Sequence, residues 1–228
     1  NNKYVVYGLS QGGSEQTTYH VLEVKTGKVT NDKIDRIETA YNSPQWSDNS
    51  KGFFYSRRQK LPKDAPATDI YKKTKVYYHK LGTSPDDDKL VAETGLSDKA
   101  TFSDVDFPSL YLPKKSRHAV LKIKHGDSNP LTLYTAPKRS LLRKNIPWKK
   151  ICDASQEVND YDVSGNNIYL MTSHEAPKFK IIETNLRAPN FEKAKTVVPE
   201  GDYVIDGLYA AKDALYVGIM DGGFNKVL

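Results

Sequence analysis

One cysteine among 228 residues leaves no internal disulfide to staple the fold. A reactive thiol needs a basic or helix-N-terminal setting that has to be seen in the fold, so the plainer reading of Cys152, a half-buried thiol, leads. Methionine and tryptophan are equally sparse at 2 each, against 15 Tyr and 7 Phe. Aromatic residues therefore supply much of the apolar bulk, and the excess of Tyr suits strands with one wet face. No apolar run approaches the roughly 20 residues of a membrane span, which excludes a helical membrane protein. Long helical periodicity is missing too. Leu141 to Ile151 offers one turn of helix, interrupted by Pro147.

Metal and cofactor chemistry lack their spacings as well. His20, His79, His118, His125 and His174 form no H-x-x-x-H pair and none sits at metal spacing from Cys152, so zinc has no support. Asp86-Asp87-Asp88 lacks the spaced ligands and glycine of a calcium loop and reads as a solvated turn. No glycine-rich phosphate cradle appears, and no cofactor is expected. The balance of 34 basic and 28 acidic residues gives +6, but the lysine pairs (72–73, 114–115, 149–150) are scattered beside turns. A nucleic-acid surface would concentrate them on one face, so a solvated lysine-rich exterior is expected instead. A mean hydropathy of −0.64 fits a soluble chain. It opens Asn-Asn-Lys-Tyr with no initiator Met and no secretory leader. A segment of a longer protein is expected, cytoplasmic or periplasmic without a choice between them.

What is present is a recurring hairpin. Ser43 to Trp46 reads as a strand, Asp48, Asn49 and Gly52 as turn residues, and Phe53-Phe54-Tyr55 as an aromatic second strand. Counterparts of that second strand begin near Tyr4, Ala119, Ile168 and Ala214, at spacings of 49, 66, 49 and 46 residues along the chain. The long interval holds a polar insertion, Gln59 to Lys73. Periods of about 40 to 50 residues with several short strands each point to propeller blades. A β-sandwich or an irregular two-domain β protein is less favoured, because neither requires that period. The fold class expected is all-β, a partial propeller of about four blades, with repeats near 1–33, 34–100, 101–155, 156–200 and 201–228. Both ends fall mid-blade in this reading, so open sheet edges and edge-mediated self-association are expected.

Gly8-Leu9-Ser10-Gln11-Gly12 matches the G-x-S-x-G nucleophile elbow. The elbow needs a helix after its serine, whereas Thr17 to Val24 alternates like a strand and no βαβ pattern follows. The match is read as a hairpin loop, and on residues alone no active site is found.

Several stretches, in order, resemble the prolyl oligopeptidase family of serine peptidases, specifically its β-propeller domain. They are Tyr4 to Ser14, Trp46 with Gly52 to Arg57, Val76 to Thr83 followed by Asp87-Asp88, Thr172 with Ala176-Pro177, and Val198-Pro199-Glu200. The resemblance covers nearly the whole chain. It implies a seven-bladed propeller that gates a separate α/β-hydrolase domain, where a Ser-Asp-His triad cleaves short peptides after proline. This chain would then hold no triad residue, and its partners would be that missing domain and proline-containing peptides, not nucleic acid or membrane. The family's propeller lends the substrate pocket an aromatic residue just before a blade's Trp, and Tyr41 matches that position. It also lends an Arg and a Cys from a later turn. Those positions match Lys124 and Asp127 here, both departures from the pattern. A stand-alone propeller-like binding module and the propeller of a basic-specific oligopeptidase are the alternatives.

Overall fold

The computed structural model describes every residue except Asn1, Gly13, Glu15, Tyr41 and Asn42. The chain divides into two compact units, residues 1–112 with 142–145, and residues 113–141 with 146–228.

The first unit holds eight strands among its described residues: β1 (Tyr4–Ser10), β2 (Thr17–Glu23), β3 (Lys28–Ile37), β4 (Gln45–Trp46), β5 (Gly52–Arg57), β6 (Lys75–Lys80), β7 (Lys89–Ala92) and β8 (Phe107–Tyr111). The first seven form one antiparallel sheet in the order β1-β2-β3-β5-β6-β7, with β4 paired to β5 and a single bridge, Ile37 opposite Arg57, linking β3 to β5. Alternation explains the strands. On β2, Thr17, Tyr19 and Val21 are buried while their neighbours are half-exposed, the period-2 pattern of a strand with one covered face. On β5, Gly52 to Ser56 are all buried, so this strand is covered on both faces. Tyr19, Val21, Ile34, Ile37, Phe53 and Tyr55 make one core cluster, with Trp46 edge-on to Phe53 at 5.4 Å. Ser56 Oγ donates to the Pro108 carbonyl at 2.7 Å and ties β5 to β8.

The second unit continues with β9 (His118–Lys124), β10 (Leu131–Pro137), β11 (Lys149–Cys152), β12 (Val158–Ser164), β13 (Asn167–Thr172), β14 (Lys180–Asn185), β15 (Lys195–Val198), β16 (Val204–Ala210), β17 (Leu215–Asp221) and β18 (Phe224–Val227). Antiparallel neighbours follow chain order: β11-β10-β9, β12-β13-β14-β15 and β16-β17-β18. As tight as the β17–β18 turn, where Asp221 lies opposite Phe224, the β12–β13 turn sets Ser164 opposite Asn167. Gly165 there takes a φ of +59°, which glycine adopts without a Cβ penalty. Met171, Ile181, Ile205, Leu208, Val217 and Ile219 form the buried cluster between the last two of these sheets.

Two strands, β11 and β15, were not anticipated by pattern; both are four-residue elements, too short for a period-2 alternation to stand out. The helix turn expected over Leu141 to Ile151 is absent: 141–145 form irregular turns, and Lys149–Cys152 is strand. The polar insertion holds one short 3-10 helix, Ala67–Tyr71. Among the described residues, no helix is long and apolar enough to cross a membrane.

Candidate substrate-facing turn and buried charge network

The turn between β9 and β10 carries two of the three sequence-predicted site residues. Lys124 ends β9 opposite Leu131, and its Nζ donates to the Ser128 carbonyl across the turn. His125 holds the turn from the other side, its Nε2 2.8 Å from Thr132 Oγ1, while the Ser128 N–H donates to the His125 carbonyl at 2.9 Å. Asp127 sits exposed at the tip. The fold therefore presents a cation and a carboxylate on one anchored loop. Tyr41, the third residue, lies outside the described residues.

Behind this turn lies a pair that sequence reasoning missed. Lys122 and Asp160 lie on β9 and β12. Burial pulls the Lys122 ammonium below its usual pKa, although the charge of Asp160 opposes that shift. Burial likewise pushes the Asp160 carboxyl above its usual range, helped by Asp162 and opposed by the Tyr161 N–H at 2.8 Å and by Lys122. A half-buried lysine and carboxylate, each drawn toward its neutral form, are the kind of groups that accumulate at functional sites. The available signal was the lysine interrupting Ala119-Val120-Leu121-Lys122-Ile123.

The first unit holds a different polar structure, fully enclosed. His79 on β6 is 0% exposed, with Asp88 Oδ1 2.8 Å from Nδ1 and Asp32 Oδ1 2.9 Å from Nε2. The second oxygen of Asp32 takes the Thr30 hydroxyl at 2.5 Å, and the Gly82 N–H reaches Oδ1 at 2.6 Å. The second oxygen of Asp88 takes the Tyr55 hydroxyl at 2.6 Å. Burial alone would favour neutral imidazole, but the bonds to Asp88 and Asp32 outweigh it and raise the His79 pKa above 6.5. For Asp32, burial acts upward, yet Thr30, Gly82 and His79 together hold the carboxyl below its usual range. Two carboxylate acceptors flanking one ring require both nitrogens to donate, so His79 is an imidazolium. Asp88, expected in a solvated turn, is instead a buried partner with its side chain 1% exposed, because Lys89 starts β7 and swings the preceding residue inward. A second enclosed pair, Arg58 Nε to Glu38 Oε2 at 2.7 Å, lies in the same unit.

Ser10, the apparent nucleophile, ends β1, and its Oγ is 2.8 Å from Thr17 Oγ1 across the hairpin. Strand, not helix, follows it, so it lacks the elbow geometry.

Successive antiparallel meanders, each strand paired with its chain neighbour and an enclosed polar lock in the sheet interior, define a β-propeller-type protein with its polar chemistry at the turns. The family model of the prolyl oligopeptidase N-terminal β-propeller domain matches residues 1–228. The chain belongs to that family. It is 28% identical over 200 residues to the prolyl endopeptidase of Elizabethkingia meningoseptica, covering 86% of this chain and 26% of that protein. It is also 28% identical over 221 residues to prolyl oligopeptidase A of Amanita bisporigera, covering 87% of this chain and 27% of the relative. The chain thus spans about a quarter of these relatives' length. Among solved structures it superposes on a prolyl endopeptidase with a TM-score of 0.81 at 20% identity, over 99% of this chain and 31% of the other. Prolyl oligopeptidase B of Galerina marginata, bound to a 35mer hydrolysis and macrocyclization substrate, gives 0.79 at 18% identity, over 99% and 32%. The partial propeller expected from the repeat period is the fold these comparisons share.

Proposed function

We propose that this chain is the non-catalytic, substrate-gating part of a serine endopeptidase that cleaves short peptides after proline, with the triad supplied by an α/β-hydrolase domain. The observation that carries the reading is the family match over the whole chain. The bonding of Ser10 to Thr17 supports it, since the one serine in a nucleophile-like motif is engaged in a hairpin. The sheets act as successive blades. Lys124 and Asp127 face the peptide from the β9–β10 turn, and Tyr41 joins them on the sequence resemblance alone.

The test compares the full-length protein with this chain alone on a chromogenic prolyl peptide. Hydrolysis by the full-length protein and none by the chain is expected; turnover by the chain alone overturns the reading. Gating has its own readout. The full-length protein cleaves a ten-residue peptide and spares the same sequence grafted into a folded carrier. Equal cleavage of both removes the gate.

A further inference from the structure

At one end of the β9–β10–β11 set the sequence gathers positive charge. His118 opens β9 opposite Pro137, the last residue of β10. Two residues beyond Pro137 the chain passes through Arg139 in a short 3-10 turn, Lys138–Ser140. Lys149 opens β11 opposite Thr135 of β10, and its Nζ donates to the Arg187 carbonyl at 2.9 Å, which fixes the loop after β14 at the same edge. Directly opposed residues share a face of a sheet, as do residues two apart on one strand. His118, Thr135 and Lys149 therefore project to the same side.

Two polar atoms on that side are buried without a protein partner, Thr135 Oγ1 and His118 Nδ1, and Thr135 as a whole is 1% exposed. Buried polar side-chain atoms are paired in the large majority of cases, so two orphans on one face point to a ligand. Around them Arg139, Lys149 and Arg187 are exposed, and among the described residues no carboxylate pairs with any of the three. The contrast is the basic cleft of about 360 Å³ in the first unit, whose lining includes Arg36, Arg57, Arg58 and Lys75. Each of those cations already holds a carboxylate: Arg36 and Arg57 share Asp35, Arg58 has Glu38, and Lys75 has Glu93.

We propose that Thr135, His118, Arg139, Lys149 and Arg187 form a binding site for a phosphate group, either inorganic phosphate or a phosphate monoester. Guanidinium forks match phosphate oxygens in pairs, Lys149 adds a point charge, and the Thr135 hydroxyl donates from the sheet. Burial, then Lys149, Arg187 and Arg139, hold the His118 imidazole below its ordinary pKa of 6.5. A bound dianion reverses the sign of that field and favours the protonated ring. Binding of the dianion is therefore coupled to proton uptake at His118 and raises the pH at which that ring titrates.

Isothermal titration of the full-length protein with inorganic phosphate and with phenyl phosphate, at constant ionic strength and about pH 8, where both ligands are mainly dianions, tests the binding, and an NMR titration of the imidazole tests the coupling. Saturable binding is expected, with the His118 imidazole titrating at a higher pH in the bound protein than in the free one. Arg139→Ala with Arg187→Ala should weaken it about tenfold or more, the loss of a charge-assisted hydrogen bond. These side chains are exposed, so folding is not at issue. Removing the same charge elsewhere, with Arg143→Ala and Lys144→Ala, should leave it unchanged. Stronger binding of phenyl phosphate assigns the site to a phosphorylated molecule, and stronger binding of the free ion assigns it to inorganic phosphate. Absence of saturable binding by either, or an equal loss in the Arg143/Lys144 control, overturns the proposal.

Discussion

Replacing His79 by leucine removes the cation held between two enclosed carboxylates. Asp32 and Asp88 have side chains 3% and 1% exposed, and neither can reach water to recover its solvation. The partners left are the Thr30 hydroxyl and Gly82 N–H for Asp32, and the Tyr55 hydroxyl for Asp88. Breaking a buried pair by removing one member costs about 3–5 kcal/mol. At a urea slope of about 2 kcal/mol per molar, the midpoint of this unit falls by roughly 2 M. Trp46 reports the event locally, since its ring lies 5.4 Å from Phe53, which in turn lies 5.4 Å from His79. The pH profile fixes the cause. The raised pKa of His79 means its contribution is complete below about 6.5 and is lost as the pH rises through the folded value. Asp32 has the opposite sign: its contribution is present above 3.8 and is lost as the pH falls through its lowered folded value. The gap between parent and His79→Leu is therefore widest near pH 6 and narrows on both sides. Neutralising all three groups together, Asp32→Asn with His79→Gln and Asp88→Asn, should restore most of the loss, because no charge is then left unpaired. A parent–variant gap below about 1 kcal/mol at that pH, or one flat in pH, would refute an ionised network.

Gly52→Ala should destabilise the same unit by about 3 kcal/mol, because an added Cβ overlaps the His79 backbone carbonyl and meets the Tyr78 ring 2.7 Å away; thermal unfolding measures it. Burial pushes the Cys152 thiol up to about 12, and the residue is 1% exposed, so at about pH 8 it should resist a thiol reagent until the chain is unfolded. Native-state labelling within minutes would contradict that. Lys122→Met and Asp160→Asn should show a coupling energy of about 1 kcal/mol in a double-mutant cycle on stability, and additive effects would mean the two charges do not act on each other.

The blade pattern was legible because β-strand periodicity and turn chemistry are local signals. Phe53-Phe54-Tyr55 and Ile168-Tyr169-Leu170-Met171 announce buried strands by composition, and Gly165 announces its turn by a backbone only glycine adopts cheaply. β11 and β15 were not, since a four-residue run is too short to display alternation, even where Ile151 or Thr196-Val197-Val198 is β-prone, and its pairing is set by the neighbouring strand. Cys152 was read as half-buried, yet pairing with Leu133 encloses it fully. Asp88 illustrates the same limit for charge. Three consecutive aspartates look alike in sequence, and only the register that puts His79 opposite Phe53 separates the enclosed one from its neighbours. Of the candidate substrate residues, Lys124 and Asp127 share one turn, a juxtaposition their spacing alone makes plain; the Lys122–Asp160 pair spans two sheets, and only its lysine, set in an apolar run, leaves a local trace.

The β9–β10 hairpin shows why function in such a sheet collects at strand ends. Its middle is closed: Ala119, Val120, Leu121, Leu133 and Tyr134 are each no more than 2% exposed and have no room for a ligand. Chemistry is possible where backbone leaves the ladder and side chains meet solvent. One end presents Lys124 and Asp127 on an anchored turn, and the other gathers Arg139, Lys149 and Arg187 around His118 and Thr135. Seven residues of β9 separate the two ends, about 20 Å at the rise of a strand. A peptide held at the Lys124 turn and a phosphate held at the His118 edge would therefore not compete for the same surface. Any influence of one on the other has to pass through the closed strands between them. Lys122 is the half-buried charge on that path, and its coupling to Asp160 is the first place to measure such an influence.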